Sequence, residues 1–253
     1  MAERRILITG ASSGIGAATA RALAMPGACI AVHCRGNRTG AEAVAAELRA
    51  AGARAEVLVA DLTAPEAPAR LVEEAVAAFG GLEVVVANAG FADRTLVGAM
   101  TDEGFARTAD TVLWGFMRLA RAAGPHLQRA GREGGFARMV AVSSFVAHLF
   151  RTDTALFPAS AAAKAGVEAL VRSLSIEWAP DVTVNAVVPG FTQKDAGTHV
   201  ALEAPAWEAI ISRIPLARLG KPSDVAAAIA FLASPGAAYI TGQSLHVSGG
   251  VVI

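Results

Sequence analysis

The chain has 253 residues, 54% of them hydrophobic and 17% charged, enough apolar material for a sizeable core. Lys+Arg and Asp+Glu balance at 22 each, which argues against a generally basic nucleic-acid binder or an acidic tail. No apolar run approaches the roughly 18 residues of a membrane span, and the run after Arg5 is too short for a signal peptide, so a soluble cytoplasmic protein is expected.

Ile6-Leu7-Ile8 reads as a buried strand and runs into Thr9-Gly10-Ala11-Ser12-Ser13-Gly14-Ile15-Gly16. Those glycines suit a tight turn into a helix whose N-terminal N–H groups and positive dipole end can hold a pyrophosphate. The spacing is G-x-x-x-G-x-G, not the commoner G-x-G-x-x-G. A helix over 15–25 follows, then a strand at Ala28–Cys34 and a helix over 39–51 closed by Gly52. Cys29 and Cys34 lie on opposite faces of that strand and are poor disulfide partners; no Cys/His cluster has zinc spacing, so no metal is expected.

Arg54–Val59 is a third strand, and 65–79 a helix with Pro65 near its first turn. Glu83–Ala87 is a fourth strand, with a helix over about 102–123. Arg138–Val142 is a fifth, with a helix over about 157–178. Val182–Val188 is a sixth, followed by a largely apolar helix over 222–233 and a last strand at Ser244–Val247. Strands alternating with helices predict right-handed crossovers and a parallel sheet covered on both faces. No linker or repeat divides the chain, so one domain over 1–253 is expected. The ligand should lie outside the carboxyl ends of the strands, where 9–16, 33–38, 88–91 and 143–150 converge.

The chain resembles the classical short-chain dehydrogenases/reductases, the branch that contains 3-oxoacyl-carrier-protein reductases. The matching residues are T-G-A-S-S-G-I-G at 9–16, D-L at 61–62, N-A-G at 88–90, S-S at 143–144, Lys164, P-G at 189–190 and I-T-G-Q-S-L-H-V-S-G-G at 240–250. The resemblance implies an α/β, single-domain, Rossmann-type doubly wound parallel sheet of seven strands, commonly in a homotetramer, acting on a small molecule with NAD(H) or NADP(H). It implies that Gly10, Ser13, Gly14, Ile15 and Gly16 hold the cofactor phosphates and ribose. Asp61 and Leu62 would face the adenine, and Asn88, Ala89 and Gly90 the ribose and nicotinamide side. Pro189, Gly190 and Thr192 would close over the cofactor, and a substrate lid would span about 191–215, with Lys194, His199 and Trp207. Asn88 equally reads as a tie between strands, and Asp61 as a helix N-terminal residue.

The end of the second strand reads His33-Cys34-Arg35-Gly36-Asn37-Arg38, with no carboxylate. A carboxylate there would bind a ribose 2′-OH, whereas guanidinium groups match a 2′-phosphate, so Arg35, Asn37 and Arg38 favour NADP(H).

In the family a tyrosine four residues before the lysine exchanges a proton with the substrate, and a serine at the end of the fifth strand orients the oxygen. Lys164 and Ser144 fit two of these roles, and Lys164 would also bind the ribose. Ser160 stands where the tyrosine is expected, Tyr239 is the only tyrosine, and Val112 stands where the family has an asparagine. A phenol of pKa about 10 can be drawn towards neutrality by an ammonium; an aliphatic alcohol is far less acidic. The candidate catalytic set is therefore Ser144, Ser160, Lys164 and His148, the last being titratable near neutrality in the loop before Ser160. The expected function is an NADP(H)-dependent carbonyl/alcohol oxidoreductase with a non-standard proton donor. The alternative is an impaired dinucleotide binder serving as sensor or partner subunit.

Overall fold

The fold is that of a computed structural model, which describes residues 4–193 and 204–253. Lys194 and His199 of the expected lid lie outside the described residues. Among those described, the strands are β1 (Arg4–Ile8), β2 (Ala28–Cys34), β3 (Arg54–Val59), β4 (Val84–Ala87), β5 (Arg138–Val142), β6 (Thr183–Pro189) and β7 (Ser244–Val247). They pair in parallel in the order β3-β2-β1-β4-β5-β6-β7. The helices are α1 (Gly14–Leu23), α2 (Arg38–Ala50), α3 (Ala67–Phe79), α4 (Asp102–Ala109), α5 (Gly115–Gly134), α6 (Pro158–Glu177), α7 (Ala204–Ile211) and α8 (Pro222–Leu232).

The two-residue period of the strands separates two cores. Ile6, Ile8, Ile30, Val32, Val84, Val86 and Val140 pack against α1, α2 and α8. Leu7, Cys29, Ala31, Val85, Met139 and Val184 pack against α3, α5 and α6. Cys29 and Cys34 accordingly sit in different cores, as their spacing predicted.

The order of connection reverses at β1, which lies between β2 and β4. The crevice for a ligand opens there, at the carboxyl ends. Asn88 closes its floor: its Nδ2 donates to the carbonyls of Thr9 and Gly10 at 2.9 and 3.0 Å, and Thr9 Oγ1 accepts from the N–H groups of Asn88 and Ala89.

Several element boundaries differ from expectation, most of them by one residue. α3 begins at Ala67, so Pro68, not Pro65, occupies its first turn. α1 ends at Leu23 rather than at 25. The helix expected over 102–123 is α4, a π turn at Asp110–Trp114, and α5, which continues through Pro125 to Gly134. A proline costs an internal helix a hydrogen bond, but tertiary contacts hold α5. A Cβ on Gly124 would lie 2.9 Å from the Trp178 ring, and one on Gly131 2.0 Å from the Asp181 carbonyl oxygen.

Candidate active site

The loop after β1 has the form of an anion cradle. Gly10 and Gly14 have φ of +64° and +56°, which L side chains rarely adopt. A Cβ on Gly14 would meet nothing within 4 Å, so the space over the N-terminus of α1 is open. A Cβ on Gly16 would come within 2.3 Å of the Gly10 carbonyl oxygen and 2.6 Å of Asn88 Nδ2, so α1 packs directly against the turn. Ser13 is exposed at the N-cap and makes no side-chain cap; Ile15 is half-buried against the core.

His33 supports this loop from below and was not recognised as a site residue in the sequence. Its Nδ1 accepts from Gly10 N–H at 3.1 Å, and its Nε2 lies 3.0 Å from the Ala60 carbonyl oxygen, which makes Nε2 the donor. Burial holds its pKa below the usual imidazole value. A single histidine in a strand gives no period or motif by which to find it.

At the end of β2, Arg35 and Arg38 are exposed, and Arg38 Nε lies 3.6 Å from Glu42. Asn37 caps α2, its side chain accepting from Gly40 N–H at 3.1 Å. Asp61 accepts from Thr63 N–H and Oγ1, and these bonds hold its carboxyl below the usual range. The other reading of Asp61, a helix N-terminal residue, does not hold, because α3 begins six residues later at Ala67 and Asp61 instead closes a local turn. Leu62 is buried among the side chains of the α3/α5/α6 core. Gly90 is exposed at the end of β4, with Ala89 half-buried beside it. Pro189 ends β6, a Cβ on Gly190 would sit 2.7 Å from Ser248 Cα, and Thr192 Oγ1 donates to the Gly190 carbonyl at 3.1 Å.

Lys164 projects from α6 beneath this cradle and donates from Nζ to the Val142 carbonyl at 2.5 Å. Burial pushes its ammonium down to about 8, the negative charge of Glu168 opposing the shift. Val112 of the π turn lies beside it: a Cβ on Gly90 would be 3.5 Å from Lys164 Nζ and 3.7 Å from Val112 Cγ2. Ser144 is half-buried at the end of β5, its Oγ 3.4 Å from Val146 N–H.

Ser160 and His148, the two proton-donor candidates, are placed very differently. Ser160 is 2% exposed, and its Oγ accepts from Asp93 N–H at 2.8 Å. The segment after β4 therefore covers it. His148 keeps a side-chain exposure of 29%, and its Nε2 lies 2.8 Å from Glu168 Oε1. Glu168 is buried and also accepts from Ser143 Oγ and from Ser244 Oγ at 2.9 Å. Burial would push this carboxyl up, but the bonds from Ser143, His148 and Ser244 more than offset it, so Glu168 stays ionised. The sequence signal for Glu168 was a lone carboxylate one helical turn after Lys164 in an otherwise apolar stretch.

Known proteins match this chain over nearly its whole length. A family described as enoyl-(acyl carrier protein) reductase matches residues 10–252. A 3-oxoacyl-[acyl-carrier-protein] reductase of Staphylococcus aureus is 37% identical over 97% of this chain and 96% of its own. The chain belongs to the short-chain dehydrogenase/reductase family. Another relative, a cis-4-hydroxycyclohexanecarboxylate dehydrogenase of Sinomonas cyclohexanicum, is 38% identical over 98% of this chain and 96% of its own. Among solved structures, a short-chain dehydrogenase of Burkholderia cenocepacia in complex with NADP superposes with a TM-score of 0.89, at 34% identity, covering 99% of this chain and 98% of that one. The chain is thus an oxidoreductase of this family. Among the described residues no helix is long and apolar enough to cross a membrane, and no three potential ligands cluster as for a metal ion.

Proposed function

We propose that this protein interconverts a carbonyl and a secondary alcohol using NADP(H), with His148 rather than a phenol exchanging the proton. The observation that carries this reading is the Glu168–His148 pair at 2.8 Å, bonded to Ser143, the chain neighbour of Ser144, with Ser160 shut away behind Asp93. The cradle fits a dinucleotide, because the open space at Gly14 and the N-terminus of α1 suit its phosphates. Gly10, Ser13, Ile15 and Gly16 would line it, with Asn88, Ala89 and Gly90 on the ribose and nicotinamide side. Arg35 and Arg38, with no carboxylate at the end of β2, support a 2′-phosphate; the NADP-bound relative is consistent with that preference. When bound, the cofactor supplies or accepts the hydride.

The remaining work belongs to the chain. Lys164 holds the ribose side of the cofactor and, with its pKa near 8, keeps a positive charge beside the reacting oxygen at neutral pH. Ser144 donates a hydrogen bond to that oxygen. His148, oriented through Nε2 by the Glu168 carboxylate, gives the proton during reduction, takes it during oxidation, and exchanges it with solvent at its exposed edge. Phe191–Gln193 and α7, in the expected lid, would close over the substrate. A homo-oligomer is supported by the exposed Ile176, Phe231 and Leu245.

The test is NADPH binding followed by NADPH oxidation against a panel of ketones, quinones and 3-oxoacyl thioesters. His148→Ala is expected to lower kcat by roughly 10²- to 10⁴-fold, and Glu168→Gln by less, with NADPH affinity unchanged in both. A His148→Ala variant as fast as wild type removes His148 from the reaction. Tight NADPH binding with no turnover across the panel would favour the sensor or partner reading.

A further inference from the structure

A cavity of about 230 Å³ opens between the loop after β5, Phe191, the end of α7 and the segment after β7. Leu149, Phe191, Ile210 and Val251 form apolar walls, and Arg151 and Arg213 enter from the rim. Phe191 of its wall packs on Phe145, the chain neighbour of Ser144, with ring centroids 4.3 Å apart.

The two guanidinium groups are held by Asp153. Arg151 engages its carboxylate through Nε and Nη2 at 2.9 and 3.0 Å. Arg213 donates to its backbone carbonyl and lies 3.5 Å from the carboxylate. Asp153 stays ionised, because the Arg151 bonds hold its carboxyl below the usual range and the charge of Arg213 adds to them. Among the described residues it is the one carboxylate within ion-pair distance of either arginine. Two positive charges thus face one negative charge. Each guanidinium carries five N–H donors, of which Asp153 takes a minority. The rim keeps an excess positive charge and oriented donors above an apolar chamber.

We propose that this cavity takes the body of a compact carboxylic acid whose carboxylate is received by Arg151 and Arg213, so that the substrate class is a hydroxy acid or its oxo acid. Planar guanidinium forks match carboxylate oxygens in charge and geometry, and the aliphatic and aromatic walls receive an uncharged ring or chain. As a substrate assignment this rests on the oxidoreductase reading; as an acid-binding site it stands alone.

The experiment compares cyclohexanecarboxylate with cyclohexanecarboxamide, equal in shape and different in charge. Binding to the full chain is measured by ligand-observed NMR titration, with and without saturating NADPH. The carboxylate is expected to bind at least about tenfold tighter than the amide and to weaken as salt is raised. Arg151→Met and Arg213→Met should each erase most of that difference, and Arg213→Lys should recover part of it. NADPH fluorescence should be unchanged in all three variants, which reports that they are folded. Equal affinity for acid and amide, no binding of the acid, or full binding in both methionine variants would each overturn the proposal. Failure of wild type to bind NADPH would instead overturn the NADP(H) reading of the site, while acid binding would still report on the cavity.

Discussion

His33 shows how much one buried side chain can decide. It joins the loop after β1 to the end of β3 by accepting from Gly10 N–H and donating to Ala60. His33→Phe would leave both backbone groups without that partner, at a cost of about 1–3 kcal/mol per unmatched buried group. Burial depresses the folded pKa of His33, so the unfolded chain takes up its proton first as pH falls through about 6.5. The stability His33 contributes is therefore full above that pH and declines below it. Chemical unfolding at pH 7.5 and 5.5 should show the variant less stable at both, with the gap to wild type narrower at 5.5. A gap that widens in acid would mean that His33 is charged in the folded protein.

At the scale of an element, the turn into α1 separates two uses of glycine. Gly16→Ala forces a methyl between the Gly10 carbonyl and Asn88 Nδ2, the two ends of one hydrogen bond. It should lower stability by about 1–3 kcal/mol and abolish NADPH binding with it. Gly14→Ala meets no atom; its cost is the left-handed backbone, about 1–2 kcal/mol. Its methyl would stand in the space assigned to the phosphates. Gly14→Ala should thus stay folded, its melting temperature lower by about 2–8 °C, and lose at least about tenfold in NADPH affinity, read by cofactor fluorescence. Unchanged affinity would move the phosphate site away from Gly14. The reach of α5 belongs to the same scale. Gly124 and Pro125 read as a stop within the helix, and only the approach of Trp178 and Asp181 carries the helix past them.

For the molecule as a whole, the fate of Ser160 depends on a segment 67 residues away, the loop that brings Asp93 onto it. The same loop is tied to α4 through Thr108 Oγ1, which donates to the Asp93 carboxylate at 3.3 Å. A tyrosine at 160 would have to displace this packing. Ser160→Tyr is expected to lower stability by about 1–3 kcal/mol and to give no gain in kcat with the carbonyl panel. A tenfold gain at unchanged melting temperature would show that the loop has room for a phenol and that His148 is not the donor.

By itself the sequence determined the alternation of strands and helices, the two faces of the sheet, the glycine turn and the short motifs of the family. All of these rest on local periods and on backbone conformations that a few neighbouring residues impose. The tertiary structure alone decided which proton-bearing group stays accessible, because that depends on which distant loop covers it. It alone brought Ser143, His148 and Ser244 around Glu168, and Arg213 onto the local Arg151–Asp153 pair. Apart from that local pair, those contacts join residues 20 or more apart in the chain, and no period or spacing along the sequence encodes a meeting that the tertiary fold creates.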